Sequence, residues 1–172
     1  RAFLPRGWFT PVTPGTRFVT LGGMVAADVH GKNHHVDGCF GRHVTSLRLR
    51  VADGRIVKTG RRTKKSSAGY DLTRLFVGSE GTLGVITEVT VRLYPQLEAI
   101  SAAVCCFPNM VAAANTVIQA IQMGVPVARC DFIDPLGIKA LNLHSKTGLQ
   151  EMPTVFFEFH GSEAGVKEQA ET

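Results

Sequence analysis

Long hydrophobic runs are missing from this chain. No stretch approaches the roughly 18 apolar residues that a membrane-spanning helix needs. Acid is also in short supply, with 14 Asp and Glu against 19 Lys and Arg, a formal charge of +5. Beyond phenylalanine the aromatics are few: one Trp and two Tyr. Single-stranded nucleic acid is held by bases stacking on aromatic side chains interleaved with cations, so nucleic acid is not an expected partner. The cations form one tight cluster, Arg61, Arg62, Lys64 and Lys65. It reads as a solvated loop, with some capacity to draw an anionic substrate or phosphate. Cys39, Cys105, Cys106 and Cys130 contain no C-x-x-C pair and are too few for a disulfide framework. Small buried hydrophobes in a reducing compartment, cytoplasmic or mitochondrial, are the better reading. Arg1–Trp8 shows no signal-peptide pattern, and the first residue is not Met. A fragment or a processed product is expected.

The 172 residues, 44% of them apolar, can build one domain or two small ones. Trp8–Thr16 is an extended loop ending in a Pro14-Gly15 turn. Thr20 is placed to cap a short helix through Ala27. Gly31–Gly41 is rich in glycine and histidine and has no periodicity. Leu47, Leu49 and Val51 alternate with Arg48 and Arg50 in a strand, and Asp53-Gly54 is a hairpin signal before Ile56 and Val57. Asp71 should cap one or two helical turns ending near Gly78. Val85, Thr87, Val89, Val91 and Leu93 are expected on one face of a long strand. After Tyr94-Pro95 the pattern becomes β-α-β-α-β: strand 99–107, a helix capped by Asn109 and stopped at Gly124, strand 127–133, a helix opened by Asp134-Pro135, and strand 154–160. The expected class is α+β, with a boundary near Pro95 separating domains 1–95 and 96–172.

Three segments carry possible chemistry. In Pro14-Gly15-Thr16 with Thr20-Leu21-Gly22-Gly23, backbone donors at a helix start can converge on a diphosphate with no Cβ in the way. Asp28-Val29-His30-Gly31-Lys32-Asn33-His34-His35 holds three of the six histidines. Zinc is a poor fit, because Gly31 argues against the helix that would put His30 and His34 on one face. No metal is expected. A His and a Lys two apart can instead supply a proton acceptor and an anion stabiliser. Hydrogen bonding within the loop is the bland alternative. Gly78-Ser79-Glu80-Gly81-Thr82-Leu83-Gly84 feeds a strand and is not a P-loop, since no Lys-Ser or Lys-Thr follows its glycines.

Taken as a set, Pro14-Gly15, Gly22-Gly23, Gly38-Cys39-Phe40-Gly41, Asp71-Leu72 and Gly78–Gly84 resemble the PCMH-type FAD-binding (vanillyl-alcohol oxidase) superfamily. Pro14 to Val44 is similar to the oxidase subunits of decaprenylphosphoryl-ribose 2′-epimerase. Ser66 to Gly161, with Phe157-Glu158-Phe159-His160-Gly161, is similar to D-lactate dehydrogenases and glycolate oxidases. A divergent relative, a hybrid or a mosaic would each produce this pairing. The fold implied is the second subdomain of the FAD-binding domain, then the start of an α+β, ferredoxin-like cap.

The same resemblance implies FAD contacts at Gly15, Thr20, Leu21, Gly22, Gly23, Ala27, Asp28, Val29 and His30, with Ile86 near the adenosine end. It places His30 and Lys32 on the substrate side of the flavin, as candidate catalytic groups. The lactate-dehydrogenase branch has no histidine at the position of His30. Nothing before Pro14 resembles the family's N-terminal FAD subdomain, and the His-x-x-x-x-His motif of the later cap does not occur. Those missing parts are therefore expected partners, and the chain alone is expected to be inactive. The function implied is oxidation of a secondary alcohol, a D-2-hydroxy acid or a sugar alcohol, by hydride transfer to FAD. A flavin-fold remnant that serves only as a packing or interaction module is the alternative.

Overall fold

A computed structural model describes residues 3–60 and 67–172, which divide into two compact units, Arg1–Gln96 and Leu97–Thr172. The basic cluster at 61–65 lies outside the described residues.

In the first unit, β1 (Trp8–Phe9) precedes α1 (Leu21–Ala26) and a single helical turn, α2 (His34–Asp37). Then come β2 (Val44–Arg50), β3 (Ile56–Lys58), α3 (Leu72–Phe76), β4 (Val85–Val91) and β5 (Tyr94–Pro95). The sheet is antiparallel in the order β3-β2-β4. The hairpin expected at Asp53-Gly54 is present: Gly54 takes a φ of 87°, a left-handed value that favours glycine. Leu47 and Leu49 point into a core completed by Val12, Met24, Val25, Phe40, Val44 and Phe76. Burying each large apolar side chain contributes roughly 1.5–3 kcal/mol. The two ends of the unit meet where Trp8 pairs with Pro95 and Phe9 with Tyr94.

Strand β4 departs from the expected alternation. Leu47 faces Val89 and Arg48 faces Glu88, but Leu49 faces Ile86, which leaves Thr87 as an extra residue. This β-bulge reverses the phase of the strand. Ile86, Val89 and Val91 pack against the core, while Val85 is 68% exposed. The stretch 31–41 also holds more structure than its lack of periodicity implied. It contains α2 and an isolated bridge between His30 and Cys39, and a 3-10 turn follows at Phe40–His43.

The second unit comprises β6 (Ala99–Cys106), α4 (Met110–Gln122), β7 (Val127–Ile133), α5 (Pro135–Ser145), β8 (Thr154–Gly161) and α6 (Glu163–Glu171). Its sheet runs β6-β8-β7, with β8 antiparallel to both neighbours. β6 and β7 are therefore parallel and joined through α4, the split β-α-β arrangement of ferredoxin-like folds. Asn109 and Asp134 accept hydrogen bonds from Ala112 N (2.8 Å) and Gly137 N (2.6 Å), capping α4 and α5 as the sequence indicated. Gly124, past the end of α4, has a φ of 76°. Helix α6 was not anticipated; Ser162 caps it through Gly165 N.

The four cysteines are free. Cys105 and Cys106 alternate along β6, and Cys106 is exposed, which corrects the reading of all four as buried hydrophobes. Cys39, Cys105 and Cys130 are partly buried, and at Cys130 burial, with the Asp131 carboxylate second, pushes the thiol above the ordinary range. Among the described residues no helix is long and apolar enough to cross a membrane.

Candidate cofactor and substrate site

Helix α1 begins as its sequence dictates. Thr20 lies in extended conformation, and its hydroxyl accepts a hydrogen bond from Gly23 N at 3.0 Å. Met24 and Val25 anchor the helix in the core. Leu21 and Gly23 stay exposed, and Gly22 is half-buried. The helix ends at Ala27, whose N–H donates to Gly23 O, and Asp28 follows in left-handed conformation with a φ of 42°.

The Gly78–Gly84 turn fastens onto this end of α1. Gly78 N donates to Val25 O and Glu80 N to Ala26 O, each at 3.0 Å. Ile86, the next inward residue of β4, presents its carbonyl toward Gly22. The fold therefore gathers Thr20–His30, the Gly78–Gly84 turn and the start of β4 into one region. Leu21, Gly22, Gly23, Ala27, Asp28, Val29, His30 and Ile86 all belong to it. Gly15 is exposed on its own loop, with no atom within 4 Å of where a Cβ would stand.

Asp28 has a structural task. Its Oδ1 accepts a hydrogen bond from Gly41 N at 2.8 Å, tying α1 to the turn before β2. Arg74 braces the same turn from α3 by donating to the carbonyls of Gly41, Val44 and Arg42. Neither link was legible, because Gly41 lies 13 residues from Asp28 and 33 from Arg74.

The four histidines of the first unit divide into two groups. His43 is buried, with Nε2 3.0 Å from Asp37 O and Nδ1 3.3 Å from the Tyr94 hydroxyl. A ring that donates to the carbonyl and accepts from the hydroxyl satisfies both contacts. His30, His34 and His35 are exposed and stand edge to face, with centroids 5.7 and 6.0 Å apart. No group of three metal-ligating side chains occurs among the described residues. His30 and Lys32 flank Gly31, which is buried against Thr13, where an added Cβ would stand 2.8 Å from the Thr13 carbonyl. Asn33 ties the loop down by donating to Pro11 O (2.8 Å) and Asp37 Oδ2 (2.6 Å). The loop is thus anchored, with His30 and Lys32 presented to solvent.

Glycine geometry tests whether a flat, phosphate-bearing cofactor fits. Gly31, Gly41, Gly60 and Gly84 are demanded by the fold, since a Cβ on each would meet neighbouring atoms at 2.3–2.8 Å. Gly15 and Gly22 are not: a Cβ would meet nothing nearer than the Ile86 carbonyl, 4.0 Å from Gly22. At Gly23 the nearest atom is the Thr20 hydroxyl, 3.1 Å away. Glycines without an internal reason leave open backbone beside a helix start, a surface that suits close approach by a diphosphate.

Comparison with known proteins gives this region a family. Residues 1–60 match the family described as FAD binding domain, and residues 96–172 match FAD linked oxidases, C-terminal domain. The chain is 45% identical over 165 residues to a probable mitochondrial D-lactate dehydrogenase of Danio rerio, covering 94% of the chain and 33% of that protein. It is 42% identical over 95 residues to decaprenylphosphoryl-beta-D-ribose oxidase of Mycolicibacterium smegmatis, covering 55% of the chain and 20% of that protein. Both branches seen in the sequence thus reappear, and the first aligns with nearly the whole chain. A solved structure of alkyldihydroxyacetonephosphate synthase superposes with a TM-score of 0.79 over 99% of the chain and 34% of its own length. At 20% identity that likeness concerns the fold. The chain spans about a third of the length of the curated relatives it matches.

Proposed function

The chain belongs to the FAD-linked oxidases, and from that premise we propose that it is the part of a flavoenzyme that holds FAD and oxidises the secondary alcohol of a D-2-hydroxy acid. The observation that carries the reading is the open backbone at Gly15 and Gly22, left bare by the fold in a domain of FAD-binding type. The 45% identity to a probable D-lactate dehydrogenase favours the hydroxy acid over a sugar alcohol. The mitochondrial relative also favours that compartment.

FAD, when bound, supplies the hydride acceptor. In this reading residues 1–95 form the second FAD subdomain and residues 96–172 the opening of the substrate cap. Thr20 and Gly22–Gly23 hold the cofactor through backbone contacts, and Ala27–Val29 and Ile86 continue the same wall. Asp28 contributes through its backbone, since its carboxylate is engaged by Gly41. On the likeness to the ribose-oxidase branch, since the lactate-dehydrogenase branch has no histidine there, His30 accepts the proton of the substrate hydroxyl at a ring nitrogen, and the Lys32 ammonium attracts the substrate carboxylate.

Stopped-flow flavin reduction in the natural protein that carries this chain tests the assignment. His30→Ala should slow reduction about a hundredfold while flavin content holds. Lys32→Ala should raise KM for the acid with little change in kcat. An unchanged rate in the His30 variant would remove it from the chemistry. Loss of flavin and of stability together would make it a loop residue.

A further inference from the structure

The positive charge of the chain is concentrated in one segment. Residues 44–65 hold eight of the 19 Lys and Arg and one of the 14 Asp and Glu, a formal +7. The other residues, with 11 cations and 13 acids, come to −2. Four of the eight cations, Arg48, Arg50, Arg55 and Lys58, lie on β2, on β3 and in the hairpin between them, and all four are exposed. The remaining four follow Gly60 in the sequence. Strand pairing sets the direction of the described ones. Val57, Leu49 and Ile86 form a row across the three strands that packs on the core. Alternation turns the neighbouring rows outward: Lys58-Arg48-Glu88 and Ile56-Arg50-Val85. Helix α1, whose Met24 and Val25 share the core with Leu47 and Leu49, lies on the opposite side of the sheet.

Two acids accompany the four cations. Glu88 pairs with Arg48 at 3.0 Å and Asp53 with Arg55 at 2.6 Å. Arg50 and Lys58 leave the face with a positive excess. Apolar side chains stand among them: Ile56 is 63% exposed and Val85 68%, one on each side of Arg50. A sheet with one face on its core ordinarily turns polar residues to water on the other. Cations beside exposed branched apolar side chains suit one kind of partner. Anionic lipid headgroups attract the cations, and the apolar groups enter the boundary between headgroups and acyl chains. A nucleic acid would engage the cations alone and leave Ile56 and Val85 in water. We propose that the outer face of the β3-β2-β4 sheet is a docking surface for an anionic phospholipid bilayer. Arg50 and Lys58 meet the headgroup phosphates, and Ile56 and Val85 meet the acyl boundary. The proposal uses none of the residues assigned to FAD and stands apart from that reading.

The test is co-sedimentation of the natural protein carrying this chain with vesicles, one set of phosphatidylcholine alone and one of phosphatidylcholine mixed with phosphatidylglycerol. The wild type should bind the anionic set at low salt, leave it at high salt, and ignore the neutral set. The double variant Arg50→Gln, Lys58→Gln should partition about tenfold or more weakly. Arg50→Lys with Lys58→Arg keeps the charge and should keep the binding. Ile56→Ser leaves the charge unchanged and should still weaken partitioning severalfold. Thermal midpoints and flavin content should hold in all of these variants, since the substituted side chains are exposed and lie across the sheet from α1. A wild type that binds neither set, or both equally, overturns the proposal. So does a loss that appears only when the cations at 61–65 are neutralised, which would assign the attraction to that run and not to the sheet face. Full binding by Ile56→Ser, together with release from vesicles by double-stranded DNA, would make the face a general polyanion surface and also overturn it.

Discussion

Glycines of the first unit separate under substitution into those that the fold crowds and those that it leaves open. A Cβ on Gly41 would lie 2.5 Å from Val77 Cγ1 and 2.8 Å from Asp28 Oδ1, so Gly41→Ala should cost about 2 kcal/mol through overpacking and the disturbed Asp28 contact. Gly22→Ala meets open space and adds helix propensity, so it should stabilise the unliganded protein by about 0.5–1 kcal/mol. If Gly22 faces FAD, the same change lowers flavin occupancy. Thermal midpoints with and without FAD read both effects, and a Gly22→Ala protein that keeps its flavin would move the cofactor elsewhere. The sequence marked Gly22-Gly23 and Gly41 as motif members alike. Only three-dimensional neighbours reveal that Gly41 is crowded and Gly22 is bare.

At the scale of elements, legibility followed the range of the forces. Caps and turns act over three or four residues, and Thr20, Asp71, Asn109, Asp134 and the Asp53-Gly54 hairpin were all readable. The bulge at Thr87 was not, because strand phase is set by pairing with β2, some 40 positions away. Glycine and histidine in 31–41 hid a loop ordered by long-range contacts to Pro11 and Thr13. Arg74 is a further case. Its guanidinium serves three carbonyls of the turn that Asp28 also holds. Arg74→Ala should cost about 1 kcal/mol, a modest value because the side chain is 45% exposed and water can replace some donors. Limited proteolysis should then cut first within 38–44. Unchanged cleavage and an unchanged thermal midpoint would show that Asp28 alone secures the turn.

For the whole molecule, the sequence supplied the α+β class, since strands and capped helices were both legible in it. The two units found, Arg1–Gln96 and Leu97–Thr172, carry one sheet core each. The sequence supplied the chemistry less completely. Residue types at 30 and 32 admit proton transfer, but their reactive partner lies outside the chain's own atoms. The most direct measurement is anaerobic mixing of the natural protein carrying this chain with D-lactate and, separately, L-lactate, while its visible flavin absorbance is followed. Rapid bleaching by the D enantiomer, with the L enantiomer far slower, is the predicted result. A flavin that neither enantiomer reduces, or a protein that carries no flavin, would contradict the account.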